Sequence, residues 1–228
     1  MEIIHIALTF DDKYLEQGIV LMTSILANKG EETIHFHILD GGLSEFLKSK
    51  LLDLKNCEIE FHKVDAKIFE HYKKMDYYPA MMLWPMILPD IIKTDRLIYL
   101  DCDMVVNTSL KELWQNDLGD NYVAAVEDAN GKKYAKRFGL KKESKFFNSG
   151  VMLINCKKWR EDDISTRAVE ISMQNTGTRF GYDQTVLNRL FEGRVKFLDL
   201  KWNLQYCPLS IWPSYENKAE YKCAIAVP

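Results

Sequence analysis

Leu97-Ile98-Tyr99-Leu100-Asp101-Cys102-Asp103 is the stretch on which the reading of this chain turns. Arg96 to Leu100 is a short apolar run of strand length, and it ends abruptly in two carboxylates separated by one residue. In an open α/β sheet, ligands bind beyond the carboxyl ends of the strands, which is where Asp101 and Asp103 fall. Such a pair can share a hard divalent cation, because that kind of ion prefers oxygen ligands, and the cation can in turn hold a diphosphate. The plain alternative is a pair of solvated carboxylates that close a strand end.

Working outward, the chain opens on an apolar run, Ile3 to Leu8, followed by the polar turn Thr9-Phe10-Asp11-Asp12. Leu15, Ile19, Met22 and Leu26 then recur at helical spacing, with Asp11 or Asp12 placed to cap that helix. Ile34 to Leu39 reads as a second strand, broken by Gly41-Gly42. Ser44 follows as an N-cap for a helix carrying Leu47, Leu51 and Leu54. Ile59 and Phe61 alternate with Glu60 and His62 in a third strand, and the alternation lapses at Lys63-Val64. Beyond the aspartate pair, Tyr122 to Val126 and Val151 to Ile154 are further strands. A long helix is expected from near Trp159 and a shorter one from near Asp183. Strands separated by helices predict an α/β fold with a parallel or mixed sheet and crossover helices.

Bulk composition narrows the classes. The 228 residues, 47% hydrophobic and 28% charged, suit one globular domain. Thirty basic and 33 acidic residues give a net charge of −3, so neither nucleic acid nor an anionic membrane has an electrostatic claim on the chain. Five scattered cysteines without a CxxC pair point away from a disulfide framework and a zinc ribbon. The absence of a leader-like start or an apolar run of about 20 residues predicts a cytoplasmic protein with no transmembrane segment.

Four blocks, in order, carry a resemblance. They are Ile6-Ala7-Leu8-Thr9-Phe10-Asp11-Asp12-Lys13-Tyr14, Tyr99 to Asp103, Phe146 to Asn155 with Trp159-Arg160 after it, and Gly181 to Asn188. Together they resemble glycosyltransferase family 8, which includes bacterial lipopolysaccharide galactosyltransferases and glycogenin. The resemblance implies a GT-A-type, Rossmann-like mixed sheet flanked by helices. It implies a single domain over 1–228, with a nucleotide-sugar half at about 1–110 and an acceptor half at about 111–228. The implied reaction moves galactose or glucose from a UDP-sugar to a glycan, glycolipid or glycoprotein acceptor with retention of configuration.

Residue roles follow from the same resemblance. Asp101 and Asp103 would hold Mn²⁺ or Mg²⁺, with Cys102 between them at the nucleotide. Ala7 and Asp11 would lie against the uridine, although Asp11 reads equally well as a helix cap. Asp128, Asn148 and Ser149 would meet sugar hydroxyls, while the bland reading of Asn148 is a turn residue before a strand. Asp183 and Gln184 would sit at the sugar, Gln184 near the anomeric carbon as a stabilising dipole, since an amide oxygen is a poor nucleophile.

Two departures from the family pattern stand out. Pro85 occupies the place of an arginine that approaches the donor, and the neighbouring Trp84 is either a stacking surface or a core residue. The family's late His-x-x-Gly-x-x-Lys block has no counterpart before Pro228. That suggests a truncated chain in which metal and UDP bind more weakly, and any peripheral membrane contact would belong to the missing part. All five histidines lie in the first third and read as strand or surface residues. Two other readings compete: a haloacid-dehalogenase-like phosphatase with Asp101 as nucleophile, and a sugar-nucleotide-binding domain without turnover.

Overall fold

A computed structural model describes residues 2–65, 67–69, 80–141, 143–175, 178–205 and 225–226. Its centre is a seven-stranded sheet. In chain order the strands are β1 (Ile3–Phe10), β2 (Thr33–Asp40), β3 (Cys57–Lys63), β4 (Arg96–Leu100), β6 (Val123–Glu127), β7 (Phe147–Asn155) and β8 (Val195–Phe197). They lie side by side as β3-β2-β1-β4-β7-β6-β8. A separate antiparallel pair joins β5 (Val105–Val106) to β9 (Ile225–Ala226). Within the described sheet, β7 alone runs against the others: it pairs antiparallel with both β4 and β6, and every other pairing is parallel.

Alternation along the strands splits the core in two. Ile98 and Leu100 join Ile4, Ile6, Leu8 and Phe10 beneath α1 (Leu15–Asn28) and α2 (Glu45–Leu52). Leu97 and Tyr99 face the other way, with Ala7, Met152, Trp159, Val186 and Phe191. That second layer is closed by α6 (Cys156–Glu161), α7 (Ile164–Gln174) and α8 (Asp183–Leu190). Short helices α3 (Leu88–Ile91), α4 (Lys111–Trp114) and α5 (Gly131–Arg137) complete the elements used below. Each large side chain buried in these layers contributes roughly 1.5–3 kcal/mol.

Several expectations change. The single long helix expected near Trp159 is two helices, because Asp163 takes a left-handed conformation (φ 49°) that an α-helix cannot continue through. Asp11 does cap, but it caps the 3₁₀ turn Asp12–Tyr14, accepting from the Lys13 N–H at 2.9 Å, and α1 begins only at Leu15. Ser44 holds the N-cap position of α2 without a side-chain cap bond, and its own N–H donates to Asp12. Leu54 lies past the end of α2 and still packs on the core. Asn148 is a strand residue inside β7, not part of a turn. Trp84 is 7% exposed within the second core layer, so the stacking alternative gives way to the core one.

The four described histidines are strand residues, as expected, and they also form a cluster. His5 of β1, His35 and His37 of β2, and His62 of β3 share one face of the sheet and touch one another. His71 lies outside the described residues. Burial, with repulsion from the neighbouring rings, pushes the His37 pKa down to about 3, so its ring is neutral at physiological pH.

Candidate active site

Because β4 and β7 are antiparallel, the end of β4 meets the beginning of β7, and the Asp101 N–H donates to the Gly150 carbonyl at 2.8 Å. Two segments some fifty residues apart therefore open into one cavity of about 650 Å³ at the carboxyl ends of β1 and β4. Thr9, Tyr99, Asp101, Cys102, Asp103, Ser149, Arg179, Asp183 and Gln184 line it. Tyr134, Phe138 and Phe146 form an aromatic side, packed on one another and reached by Phe180 edge-on.

Gln184 is tied at both ends of its amide. Its Oε1 accepts from the Ser149 N–H at 3.1 Å, and its Nε2 donates to Asp128 Oδ2 at 3.0 Å. Beside it, the Ser149 hydroxyl donates to Asp183 Oδ2 at 2.8 Å. Asn148 joins the same network: its Nδ2 reaches Asp128 at 3.4 Å, and its Oδ1 accepts from the Gly150 N–H and from Asn203, both at 2.9 Å. A Cβ on Gly150 would stand 2.7 Å from Asp101 Oδ2 and 3.0 Å from Asn148 Oδ1, so glycine is what lets these side chains crowd together.

The electrostatics are strained in one direction. Burial raises the Asp183 carboxyl to about 7 despite the Ser149 bond, with the Asp101 charge adding to the rise. Burial likewise raises Asp101 to about 6, the Tyr99 hydroxyl opposing at 2.7 Å and Asp103 reinforcing. Burial and these carboxylates push the Cys102 thiol up to about 12, so it stays protonated and takes no nucleophilic part. The oxygen donors and their unneutralised charge fit a hard divalent cation, which would relieve the repulsion.

The structure thus brings together Asp101, Cys102, Asp103, Asp128, Asn148, Ser149, Asp183 and Gln184. Ala7 and Asp11 are not among the lining residues: Ala7 is fully buried two positions before Thr9, and Asp11 caps its turn at the chain's exit from β1. Three participants were missed in the sequence. Asn188 is 2% exposed and holds α8 against β7 by exchanging two bonds with the Phe147 backbone, at 2.7 and 2.9 Å. Its place one turn after Gln184 was the available signal. Tyr99 alternates onto the face that reaches Asp101. Arg179 is a cavity-lining cation supplied by the 3₁₀ turn Arg179–Gly181, and nothing in its local sequence marks it.

The sequence profile described as "Glycosyl transferase family 8" matches residues 5–226, nearly the whole chain. The chain belongs to glycosyltransferase family 8. General stress protein A of Bacillus subtilis is 31% identical to this family member over 90% of the chain and 74% of its own length. A putative glycosyltransferase of Haemophilus influenzae is 30% identical over 87% of the chain, which spans only 62% of that relative. Among solved structures, the galactosyltransferase LgtC in complex with donor and acceptor sugar analogues superposes with a TM-score of 0.84 at 28% identity. That match covers 98% of this chain and 86% of LgtC. An active-site glutamine-to-glutamate mutant of LgtC superposes equally well at 27% identity. This likeness bears out the GT-A-type α/β fold, and family membership removes the support for a phosphatase. Arg160, in the family block after β7, bonds the carbonyls of Pro89 and Thr94 and the Asp95 side chain, a structural duty away from the cavity.

Proposed function

We propose that this chain is a retaining glycosyltransferase that moves galactose or glucose from a UDP-sugar to a glycan, glycolipid or glycoprotein acceptor. The observation that carries the reading is Gln184, clamped between Ser149 and Asp128 on the wall of a cavity that also holds Asp101 and Asp103. LgtC, crystallised with donor and acceptor analogues and as an active-site glutamine mutant, supports the assignment. In this reading the nucleotide-sugar side is residues about 1–110 and the acceptor side about 111–228, and Asp11 serves the uridine at the chain's exit from β1.

Asp101 and Asp103 would hold Mn²⁺ or Mg²⁺, which when bound neutralises the leaving diphosphate and acts as its Lewis acid. The chain's own groups do the rest. Gln184 presents a fixed amide dipole to developing positive charge at the anomeric centre; both its ends are restrained, so little reorganisation is needed when that charge appears. Asp183, with a pKa near 7, can accept from or donate to a sugar hydroxyl, and Ser149 keeps its carboxyl oriented. Asp128 and Asn148 serve the remaining hydroxyls. Arg179 supplies a guanidinium to the cavity in a chain that has Pro85 where the family carries arginine. Among the described residues no helix is long and apolar enough to cross a membrane, and Cys57, Cys102 and Cys156 are free thiols.

The test is UDP release from UDP-galactose and UDP-glucose with Mn²⁺, for the native chain and Gln184→Ala. The substitution is expected to lower kcat by ~10²-fold with donor KM little changed, the signature of a contact made in the transition state. Near-native kcat would remove Gln184 from the mechanism. Metal-dependent UDP binding that persists unaltered in Asp103→Asn would remove the aspartate pair.

A further inference from the structure

The parallel registers of β1, β2 and β3 set His37 opposite Glu60 and Leu39 opposite His62, so Glu60 and His62, two apart on β3, flank His37 on one face of the sheet. The three nearest ligand atoms form a compact triangle. His37 Nδ1 and His62 Nε2 are 2.9 Å apart, His37 Nδ1 and Glu60 Oε2 3.5 Å, and His62 Nε2 and Glu60 Oε2 3.8 Å. These edges bracket the ~3.4 Å that separates ligand atoms around a tetrahedral ion with bonds of about 2.0–2.1 Å. We propose that His37, Glu60 and His62 form a second divalent-cation site, specific for ions of the Zn²⁺ class and separate from the aspartate cavity.

The surroundings meet the further requirements of such a site. A metal-bound histidine normally has its other ring nitrogen engaged, which fixes the ring, and His37 Nε2 lies 2.9 Å from His5 Nδ1. His35 stacks on His37 with ring centroids 4.2 Å apart, and its Nε2 lies 3.6 Å from Glu60 Oε2, steadying that carboxylate over the site. Glu60 is exposed and His37 is buried, so an ion can enter from solvent and complete its shell with water. The 2.9 Å contact between His37 and His62 needs one shared proton, which the ion displaces.

The donor set also sorts the ions. Two imidazoles and a carboxylate suit Zn²⁺, Co²⁺ or Ni²⁺ and leave Mg²⁺ to the all-oxygen groups of the cavity. None of His5, His35, His37, Glu60 or His62 lines that cavity. An ion held between β2 and β3 would pin the outer edge of the sheet.

Calorimetric titration of the full chain with Zn²⁺ in excess Mg²⁺ tests the site, with the visible absorption of Co²⁺ as a second readout. One equivalent of Zn²⁺ should bind, Co²⁺ should give the intense bands of a tetrahedral complex, and the thermal midpoint should rise. Glu60→Gln/His62→Gln should weaken binding by more than ~100-fold, beyond the usual cost of losing an outer-shell partner, and Glu60→Gln alone ~10-fold or more. Neither residue is buried, so both variants should fold. Asp103→Asn should leave Zn²⁺ binding unchanged. Lack of saturable Zn²⁺ binding overturns the proposal, as does unchanged affinity in the double variant or loss of binding in Asp103→Asn.

Discussion

Asn188→Ala is a direct test of how the candidate site is held. The wild-type side chain accepts from the Phe147 N–H at 2.7 Å and donates to the Phe147 carbonyl at 2.9 Å and the Gln184 carbonyl at 2.8 Å. Phe147 is fully buried, so truncation leaves its N–H without a partner at a cost of about 1–3 kcal/mol. The two carbonyls each lose one accepted bond, about 0.5–1 kcal/mol apiece, the Gln184 oxygen keeping its bond within α8. A total near 3 kcal/mol is a large share of the stability of an ordinary domain. Urea unfolding followed by tryptophan fluorescence should show a midpoint lowered by about 1 M, taking a slope near 3 kcal/mol per molar. Asn188→Asp sharpens the test: it keeps an acceptor for the Phe147 N–H but turns a carboxylate on two carbonyls. It should be as damaging at pH 7 and partly recover on acidification, because a protonated carboxyl can donate. A midpoint within 0.2 M of wild type for Asn188→Ala, roughly the reproducibility of such curves, would refute the reasoning.

Gly150→Ala places a methyl 2.7 Å from Asp101 Oδ2, so divalent-cation affinity measured by calorimetry should fall ~10-fold or more while stability drops by only about 1 kcal/mol. Tyr99→Phe removes the hydroxyl that lowers the Asp101 pKa, so the pH of half-maximal cation binding should move up by about one unit, read from titrations between pH 5 and 8. For Asp40, burial works to raise the carboxyl, but Lys48 and the N–H groups of Gly42 and Leu43 outweigh it and hold the folded pKa below its ordinary value. A depressed carboxylate stabilises the fold above its unfolded pKa and loses that contribution as pH falls through the folded one. Asp40→Asn should therefore cost about 1 kcal/mol at pH 7 and almost nothing at pH 2.

The strands and the aspartate pair were legible because they depend on local pattern. Arg96 to Leu100 is buried on both faces and reads as an unbroken apolar run, and Asp101 must follow it wherever the strand sits. The clamp on Gln184 was only half legible. Its block could be recognised, but Asp128, just past β6, and Ser149 of β7 reach it through tertiary pairing that no spacing encodes. The start of β7 was misplaced for a related reason: Asn148 and Ser149 are polar in sequence because they feed the cavity, which hides the strand they belong to. The histidines show the same limit. His5, His35, His37 and His62 look unremarkable one at a time and become a cluster only once three strands are in register.

The reversed strand has a kinetic consequence. β7 must lie beside β4 before the Gly150 carbonyl can meet the Asp101 N–H, and closing that pairing spans residues 101–146, whose entropy is lost before any contact repays it. The β1-β2-β3 edge, by contrast, is joined by shorter connections and can form first. In a refolding chain the cavity mouth therefore forms after that edge, and cation capture by the aspartates reports the docking of β7 on β4 rather than the first collapse.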